Sequence, residues 1–161
     1  MRRHPPCRAT TGLLILLMLP KWGPAADWPG WRGPNRDGIC SETGLLKRWP
    51  REGPKLLWKA TGLGEGFSGA AIVGNLLYTM GNRSGEEWVM ALDLRNQGKL
   101  VWATPIGIIR HKGGGYPGPR STPTIDAGRL YTLGCAGDLV CLDARQGKLI
   151  WKRDLVRDFG G

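Results

Sequence analysis

Apolar residues in the second half of the chain fall into short runs separated by glycine-containing turns. Four such runs are visible, at about Thr122–Ile125, Arg129–Cys135, Leu139–Leu142 and Lys148–Arg153. Each has the length of a β-strand, and none shows a sustained 3.6-residue period. The dipeptides Ala127-Gly128 and Ala136-Gly137 suit two-residue hairpin turns, and Gly147 suits the left-handed position of a three-residue loop. The pattern predicts four antiparallel strands.

The preceding stretch of sequence shows the same order of strands and turns. Its first turn is predicted at Gly74-Asn75, and Gly85 lies within a longer second one. Several strands are apolar at consecutive positions, as in Leu139-Val140-Cys141-Leu142. Consecutive apolar residues indicate a sheet covered on both faces, whereas a two-sheet sandwich more often alternates apolar and polar residues. The sequence therefore predicts an all-β protein whose sheets are each pressed between neighbours.

One block of sequence occurs twice, and part of it occurs a third time. Ala91-Leu92-Asp93 followed by Gly98-Lys99-Leu100-Val101-Trp102 recurs as Cys141-Leu142-Asp143 followed by Gly147-Lys148-Leu149-Ile150-Trp151. The partial copy, Lys55-Leu56-Leu57-Trp58-Lys59, is expected to form a partial first strand. The three tryptophans are 44 and 49 residues apart, which lies inside the roughly 40 to 50 residues of a four-stranded propeller blade. Upstream, Gly66-Phe67-Ser68 occupies the same position in its unit as Pro119-Arg120-Ser121.

The repeated block resembles the tryptophan-docking repeat of quinoprotein dehydrogenases and of the related propeller that serves as an outer-membrane assembly factor. The segment Asp27–Gly38 also resembles the lead-in of large exported proteins of this type. The resemblance implies an incomplete β-propeller over residues 55–161, with four-stranded antiparallel blades at about 66–106 and 119–155, after a lead-in segment at 27–54. A closed propeller needs about four to eight blades. The chain is therefore expected to be a fragment of a longer protein; the alternative is that several copies complete a ring.

In proteins of this class the docking tryptophan packs against the next blade, its glycine lets the turn approach closely, and the aspartate ties the turn. The resemblance assigns these structural roles to Trp58, Trp102, Trp151, Gly98, Gly147, Asp93 and Asp143. An indole buried between sheets contributes a large apolar area. A structural role is therefore favoured over ligand stacking for the tryptophans, and turn formation over acid catalysis for the aspartates.

The first 26 residues have the features of a secretory signal peptide. A basic start at Arg2, Arg3 and Arg8 precedes the apolar run 12–19, and small residues follow at 23–26. The run is shorter than the roughly 20 residues that span a bilayer, so we predict export to the periplasm or the cell exterior without a membrane span. The net charge of +10 falls to +6 beyond residue 26. Basic and acidic residues are interspersed there, which argues against nucleic acid as a partner.

Three cysteines follow the predicted signal: Cys40, Cys135 and Cys141. Quinoprotein dehydrogenases hold pyrroloquinoline quinone beside two adjacent disulfide-bonded cysteines, with calcium on acidic and amide ligands, and this sequence has no adjacent pair. If Ala136-Gly137 forms the turn, Cys141 lies opposite Thr132 and too far from Cys135 for a disulfide. Cys141 is expected to be a small core residue, and buried inert thiols are expected at the other two positions. No cofactor or metal is predicted for this chain, although both are compatible with a full-length relative.

The connection between the two repeat units is the best candidate for a binding surface. Residues 110–120 combine glycines, positive charge and an aromatic ring, and the candidate binding residues are Arg110, His111, Lys112, Tyr116 and Arg120. The glycines are not followed by the Gly-Lys-Ser/Thr of a phosphate-binding loop. An ordinary connection rich in turn formers is the alternative interpretation. No catalytic triad or metal cluster can be assembled from the sequence.

Two hypotheses of function follow from these observations. The first is a non-catalytic, exported binding or scaffold propeller whose partner is a protein or another component of the cell envelope. The second is a fragment of a quinone-dependent alcohol or sugar dehydrogenase. The second ranks lower because it rests on fold analogy alone.

Overall fold

The computed structural model describes residues 26–109 and 117–160, which form two four-stranded antiparallel sheets. The first sheet, blade 1, consists of β1 (Ala71–Val73), β2 (Leu76–Arg83), β3 (Glu86–Asp93) and β4 (Lys99–Ile108). The second sheet, blade 2, consists of β5 (Thr124–Asp126), β6 (Arg129–Leu133), β7 (Asp138–Asp143) and β8 (Leu149–Asp154). In each blade the strands pair in chain order. The predicted all-β architecture of four-stranded antiparallel blades is confirmed.

A short helix, α1 (Leu155–Phe159), follows β8. It begins at Asp154, whose Oδ1 atom accepts a hydrogen bond of 3.0 Å from the backbone N–H of Arg157, as expected of an N-cap aspartate. Throughout the described parts of the chain, no helix has the length and apolar character that crossing a bilayer requires. The predicted signal peptide at 1–26 lies outside the described residues, apart from its last residue.

Two-residue turns join several neighbouring strands. Those at Gly74-Asn75 and Ala127-Gly128 lie where the sequence predicts them. A third closes β2 and β3 at Ser84-Gly85, with φ angles of 49° and 83°. Positive φ at both central residues matches the twist of paired strands. The prediction of a longer loop around Gly85 is wrong because Ser84 adopts a left-handed conformation that serine seldom takes.

The turn between β6 and β7 is longer than the predicted Ala136-Gly137 pair. The N–H of Gly134 donates to the carbonyl of Asp138 at 2.9 Å, which leaves three residues, 135–137, in the loop. The register consequently shifts by one residue, and Cys141 pairs with Tyr131 rather than with Thr132. The predicted pairing of Cys141 is therefore wrong.

The apolar core extends across both blades. Four consecutive residues of β3, Val89 to Leu92, are buried, and three consecutive residues of β7, Val140 to Leu142, are fully buried. Because neighbouring side chains of a strand point to opposite faces, burial at consecutive positions requires that both faces be covered. One contiguous cluster joins residues of the two blades, including Ile106 of β4 and Val140 of β7. The prediction of sheets covered on both faces is confirmed.

The partial repeat copy at 55–59 does not form the strand that the sequence predicts. The structure places no strand at these residues, although Trp58 reaches blade 1 as described below. A strand is defined by hydrogen bonds to a neighbouring strand. Residues 55–60 have no such neighbour, which explains why an apolar sequence with the repeat pattern remains irregular.

The lead-in segment connects the first strands of the two blades. Trp28 and Ile72 of β1 exchange backbone hydrogen bonds of 2.7 and 2.8 Å, and Asp27 Oδ1 accepts from the N–H of Gly74 at 2.7 Å. The next residue, Pro29, accepts a hydrogen bond of 2.7 Å from the N–H of Ile125 in β5. The segment thus occupies part of the edge that each sheet would otherwise leave unpaired.

Candidate functional site

A tryptophan ring lies directly over a turn glycine at two repeated places. The ring of Trp102 in β4 covers Gly147 of blade 2, where an added Cβ atom would lie 2.5 Å from the ring. Trp58 covers Gly98 in the same way, at 2.6 Å. Both glycines have positive φ angles, of 71° and 74°. A larger residue at either position would meet the indole and adopt an unfavourable backbone conformation.

Polar contacts accompany the stacking of Trp102. Its Nε1–H donates to the carbonyl of Ala144 at 3.2 Å, and the hydroxyl of Thr104 donates to the carbonyl of Gly147 at 2.7 Å. At the outer side of the same interface, Lys152 Nζ donates to the carbonyl of Ile106 at 2.6 Å and pairs with Asp138 at 2.9 Å. The two blades are therefore joined by apolar stacking and by hydrogen bonds of fixed geometry.

The two repeat aspartates shape the turns that carry these glycines. Asp93 Oδ1 accepts from the N–H of Arg95 at 2.9 Å, and Asp143 Oδ1 accepts from the N–H of Gln146 at 2.7 Å. The first turn has one residue more than the second, and it accommodates that residue in a single 3₁₀ turn followed by Gln97 at a φ of 52°. Each carboxylate therefore stabilises the turn that it begins.

A buried polar cluster of Glu87 and Asn82 at the same interface was not predicted from the sequence. Glu87 of β3 is 0% exposed, and its Oε2 atom accepts from the N–H of Cys135 at 2.8 Å. Its Oε1 atom and the Oδ1 atom of Asn82 are both buried without a hydrogen-bond partner. These two residues are register partners on β2 and β3. Glutamate beside a hairpin turn normally faces solvent, so the sequence carried no sign of this cluster.

The three cysteines differ in their exposure. Cys141 is fully buried, as predicted, whereas Cys40 and Cys135 are exposed, so the prediction of buried thiols at those two positions is wrong. Cys135 lies in the β6–β7 loop, whose extra residue turns it outward. All three are free thiols. Cys135 and Cys141 therefore do not form a disulfide with each other.

Partial burial is the main cause that raises the pKa of Cys135 from 9.0 to about 11. The hydrogen bond to Glu87 and the negative charge of Glu87 raise this pKa further. The protonated thiol donates to the carbonyl of Gly118 at 3.1 Å. Stability is therefore unaffected below pH 9 and falls as the pH rises from 9 towards 11, because the unfolded state releases the thiol proton in this range while the folded state still holds it.

We expect Cys135 to react slowly with alkylating agents despite its exposure. A pKa of about 11 makes the thiolate fraction at pH 8 about 100-fold smaller than that of an ordinary thiol. The rate of iodoacetamide addition, resolved by peptide mass spectrometry and compared with a free cysteine peptide, measures this. Glu87→Gln should lower the pKa of Cys135 and accelerate the reaction. An identical pH profile for Cys135 and the free peptide would contradict the prediction.

The predicted binding residues divide into those that the structure describes and those that it does not. Arg110, His111, Lys112 and Tyr116 lie outside the described residues, and Arg120 is exposed. Phe67, its counterpart in the repeat, is 58% exposed. The N–H of Phe67 donates to the carbonyl of Pro119 at 2.8 Å, so the two positions lie side by side.

This side of the molecule is called the connection face below, and it comprises residues 63–68, 84–85, 117–121 and 134–137. Several contacts hold its segments together. Ser68 Oγ donates to the carbonyl of Ser121 at 2.8 Å, and Gly118 lies against the backbone of Glu65 and Gly66. The sequence missed Phe67 as a surface residue, although its repeat position opposite Arg120 was a usable signal. In the described residues, no group of three or more His, Cys, Asp or Glu side chains is arranged to hold a metal ion.

Residues 85–161 match the family described as outer membrane protein assembly factor BamB. A curated relative of that name from Aliivibrio fischeri is 36% identical over 70 residues, which is 40% of this chain and 17% of the relative's length. The quinohemoprotein alcohol dehydrogenase of Comamonas testosteroni is 25% identical, with a TM-score of 0.49 over 58% of this chain and 14% of its own. BamB of Moraxella catarrhalis is 27% identical, with a TM-score of 0.37 over 52% and 22% of the two chains.

The family match covers the whole of blade 2 and strands β3 and β4 of blade 1. It includes both glycine turns and the Trp102–Gly147 contact described above. The chain thus contains two four-stranded antiparallel repeat units, and over residues 85–161 it is similar to the outer membrane assembly factor family.

Proposed function

We propose that the chain is part of an exported, non-catalytic propeller of the cell envelope that binds a protein partner through the connection face. The match to an outer membrane assembly factor supports a cell-envelope propeller module. Because the chain spans only 17% of that relative's length, the activity and partners of the whole protein belong to the proposal. So do export and the identity of the chain as a fragment.

The observation that carries the proposal is that Phe67 and Arg120 lie at neighbouring, exposed positions. They occupy equivalent repeat positions, both are exposed, and the hydrogen bond between residues 67 and 119 holds them adjacent. An exposed aromatic beside an arginine is the composition that dominates binding energy at protein interfaces. The sequence-predicted binding residues Arg110, His111, Lys112 and Tyr116 precede Arg120 along the chain and belong to the proposal on sequence alone.

The proposal predicts that a double variant of the connection face loses its partner. Tagged full-length chain carrying Phe67→Ser and Arg120→Glu is expected to recover the partner from envelope extract at least about 10-fold less well than wild type, since each interface anchor contributes of the order of 1–2 kcal/mol. Quantitative mass spectrometry of the captured proteins measures the effect.

A matched control is available at the opposite end of the sheets. Arg129 is exposed at the start of β6, beside the Ala127-Gly128 turn, so Arg129→Glu makes the same charge change away from the proposed surface. Circular dichroism should show both variants folded. Equal recovery by the double variant and wild type would reject the connection face as the binding surface.

A further inference from the structure

The carboxylate of Glu87 is a buried negative charge in the contact between the two blades. The side chain lies near the start of β3 and is 0% exposed. Its Oε2 atom accepts the hydrogen bond from the N–H of Cys135 in blade 2. Within residues 26–109 and 117–160, no ion pair joins Glu87 to a basic side chain. Buried charges in proteins are normally paired or bound to a metal ion.

Two oxygen atoms at this place have no hydrogen-bond donor. Glu87 Oε1 and Asn82 Oδ1 are both buried, and no described residue donates to either. Asn82 is 9% exposed and is the register partner of Glu87 on β2. Side chains of register partners lie on the same face of a sheet, with Cβ atoms about 4.5–5.5 Å apart. The two oxygens are therefore near enough to share one ligand.

The shared ligand has to satisfy two acceptor atoms and one negative charge. A water molecule can donate to both oxygens, but it leaves the charge of the carboxylate uncompensated. A metal cation contacts both oxygens and neutralises that charge, and oxygen atoms are the ligands that hard cations prefer. The site contains one carboxylate, so a monovalent ion balances its charge. Calcium usually takes about 6–8 oxygen ligands, more than this buried pair supplies.

A cation bound to Glu87 would act on both blades. The other oxygen of the same carboxylate is held by blade 2, through Cys135 N–H. Glu87 is buried where the blades meet, so neutralising its charge lowers the cost of bringing the blades together. Cys135, which lies beside the carboxylate, is exposed, and the site is therefore within reach of ions from solvent.

We propose that Glu87 Oε1 and Asn82 Oδ1 bind a monovalent metal cation, for which sodium is the probe, and that this cation stabilises the contact between the two blades. Neither ligand belongs to the connection face, so the inference does not depend on the proposed function. Glu87→Gln keeps the shape of the side chain but lacks the charge that attracts the ion, and it is expected to lose the site.

Urea denaturation of the full chain, followed by circular dichroism at constant ionic strength, tests the inference. Sodium chloride replaces tetramethylammonium chloride stepwise, because the large organic cation does not fit a buried site. The unfolding equilibrium constant of wild type is expected to fall about 10-fold for each 10-fold rise in sodium above its dissociation constant. Glu87→Gln and Asn82→Leu should show no such dependence. Glu86→Gln, at the adjacent partly exposed residue, should respond as wild type does.

The reactivity of Cys135 provides a second readout. Partial burial and, after it, the hydrogen bond to Glu87 and the negative charge of Glu87 raise the pKa of this thiol. A cation on the carboxylate offsets part of that charge, which favours the thiolate. Sodium should therefore accelerate the addition of iodoacetamide to Cys135 in wild type, and it should leave the rate unchanged in Glu87→Gln.

Equal stability of wild type in the two salts would overturn the inference, as would the same sodium response in wild type and Glu87→Gln. Water or the amide nitrogen of Asn82 would then satisfy Glu87 Oε1. A response to calcium without one to sodium or potassium would also overturn it, because the ion would not be monovalent. A response to potassium alone would support the site and assign a larger ion to it. If Glu87→Gln does not fold, Asn82→Leu takes its place in both comparisons.

Discussion

Replacing Trp102 with alanine is expected to lower the free energy of unfolding by about 3 kcal/mol, the lower end of the usual cost of truncating a large core aromatic, because Trp102 is partly buried. The substitution leaves a cavity over Gly147 and removes the hydrogen bond from Nε1 to the carbonyl of Ala144. Chemical denaturation followed by far-ultraviolet circular dichroism measures the change. The loss should exceed that of Trp151→Ala, because Trp151 is 37% exposed and its ring covers no glycine among the described residues.

The partner of Trp102 allows a double-mutant cycle. Gly147→Ala should also destabilise the protein, since the new Cβ atom meets the indole and the φ angle of 71° is unfavourable for alanine. In the Trp102→Ala background only the backbone cost remains, so Gly147→Ala should cost less there. Strict additivity of the two substitutions would contradict a direct contact between ring and glycine. Trp49→Ala serves as the control for loss of an exposed indole.

The strands and the blade architecture could be predicted because their causes are local. Consecutive apolar residues in Leu139-Val140-Cys141-Leu142 indicated a sheet covered on both faces, and the glycines at 74, 128 and 147 marked turns that need positive φ. Repetition strengthened each inference, because the same pattern occurred twice. Where local preference and global fold agree in this way, the fold can be predicted from the sequence.

The errors fall where one residue decides the geometry. A single additional loop residue between β6 and β7 shifted the register of Cys141 and turned Cys135 outward. The strand expected at 55–59 failed for a different reason: its pattern was correct, but a strand needs a neighbour for its hydrogen bonds. Neither outcome is encoded in the residues concerned, since both depend on what the rest of the chain places beside them.

The candidate site was predicted less completely than the fold. Arg120 was found from charge and loop composition, whereas Phe67 required knowledge that two connections pack side by side. Glu87 was missed because its burial arises from contacts with Gly134 and Cys135, about 47 residues further along the chain. Such long-range contacts leave no periodic trace in a single sequence.

Glu87→Gln is expected to raise the free energy of unfolding by about 1–3 kcal/mol, the cost of leaving a buried polar atom unsatisfied. Glu87 is fully buried, and no described hydrogen bond reaches its Oε1 atom or the Oδ1 atom of its register partner Asn82. A glutamine keeps an acceptor for the N–H of Cys135 and supplies an amide donor to Asn82. It also removes a negative charge from an interior where burying charge is costly.

Two comparisons isolate the cause of this gain. Glu86→Gln makes the same change at the adjacent, partly exposed residue and should alter stability by less than about 0.5 kcal/mol, as is usual for surface substitutions. Glu87→Leu removes the charge but also the acceptor for Cys135 N–H, so it should be less stable than Glu87→Gln. If chemical denaturation shows instead that Glu87→Gln destabilises the protein, the prediction is wrong. The Asn82 amide nitrogen would then face the carboxylate and already donate to it, and the glutamine amide would place a second donor opposite that nitrogen.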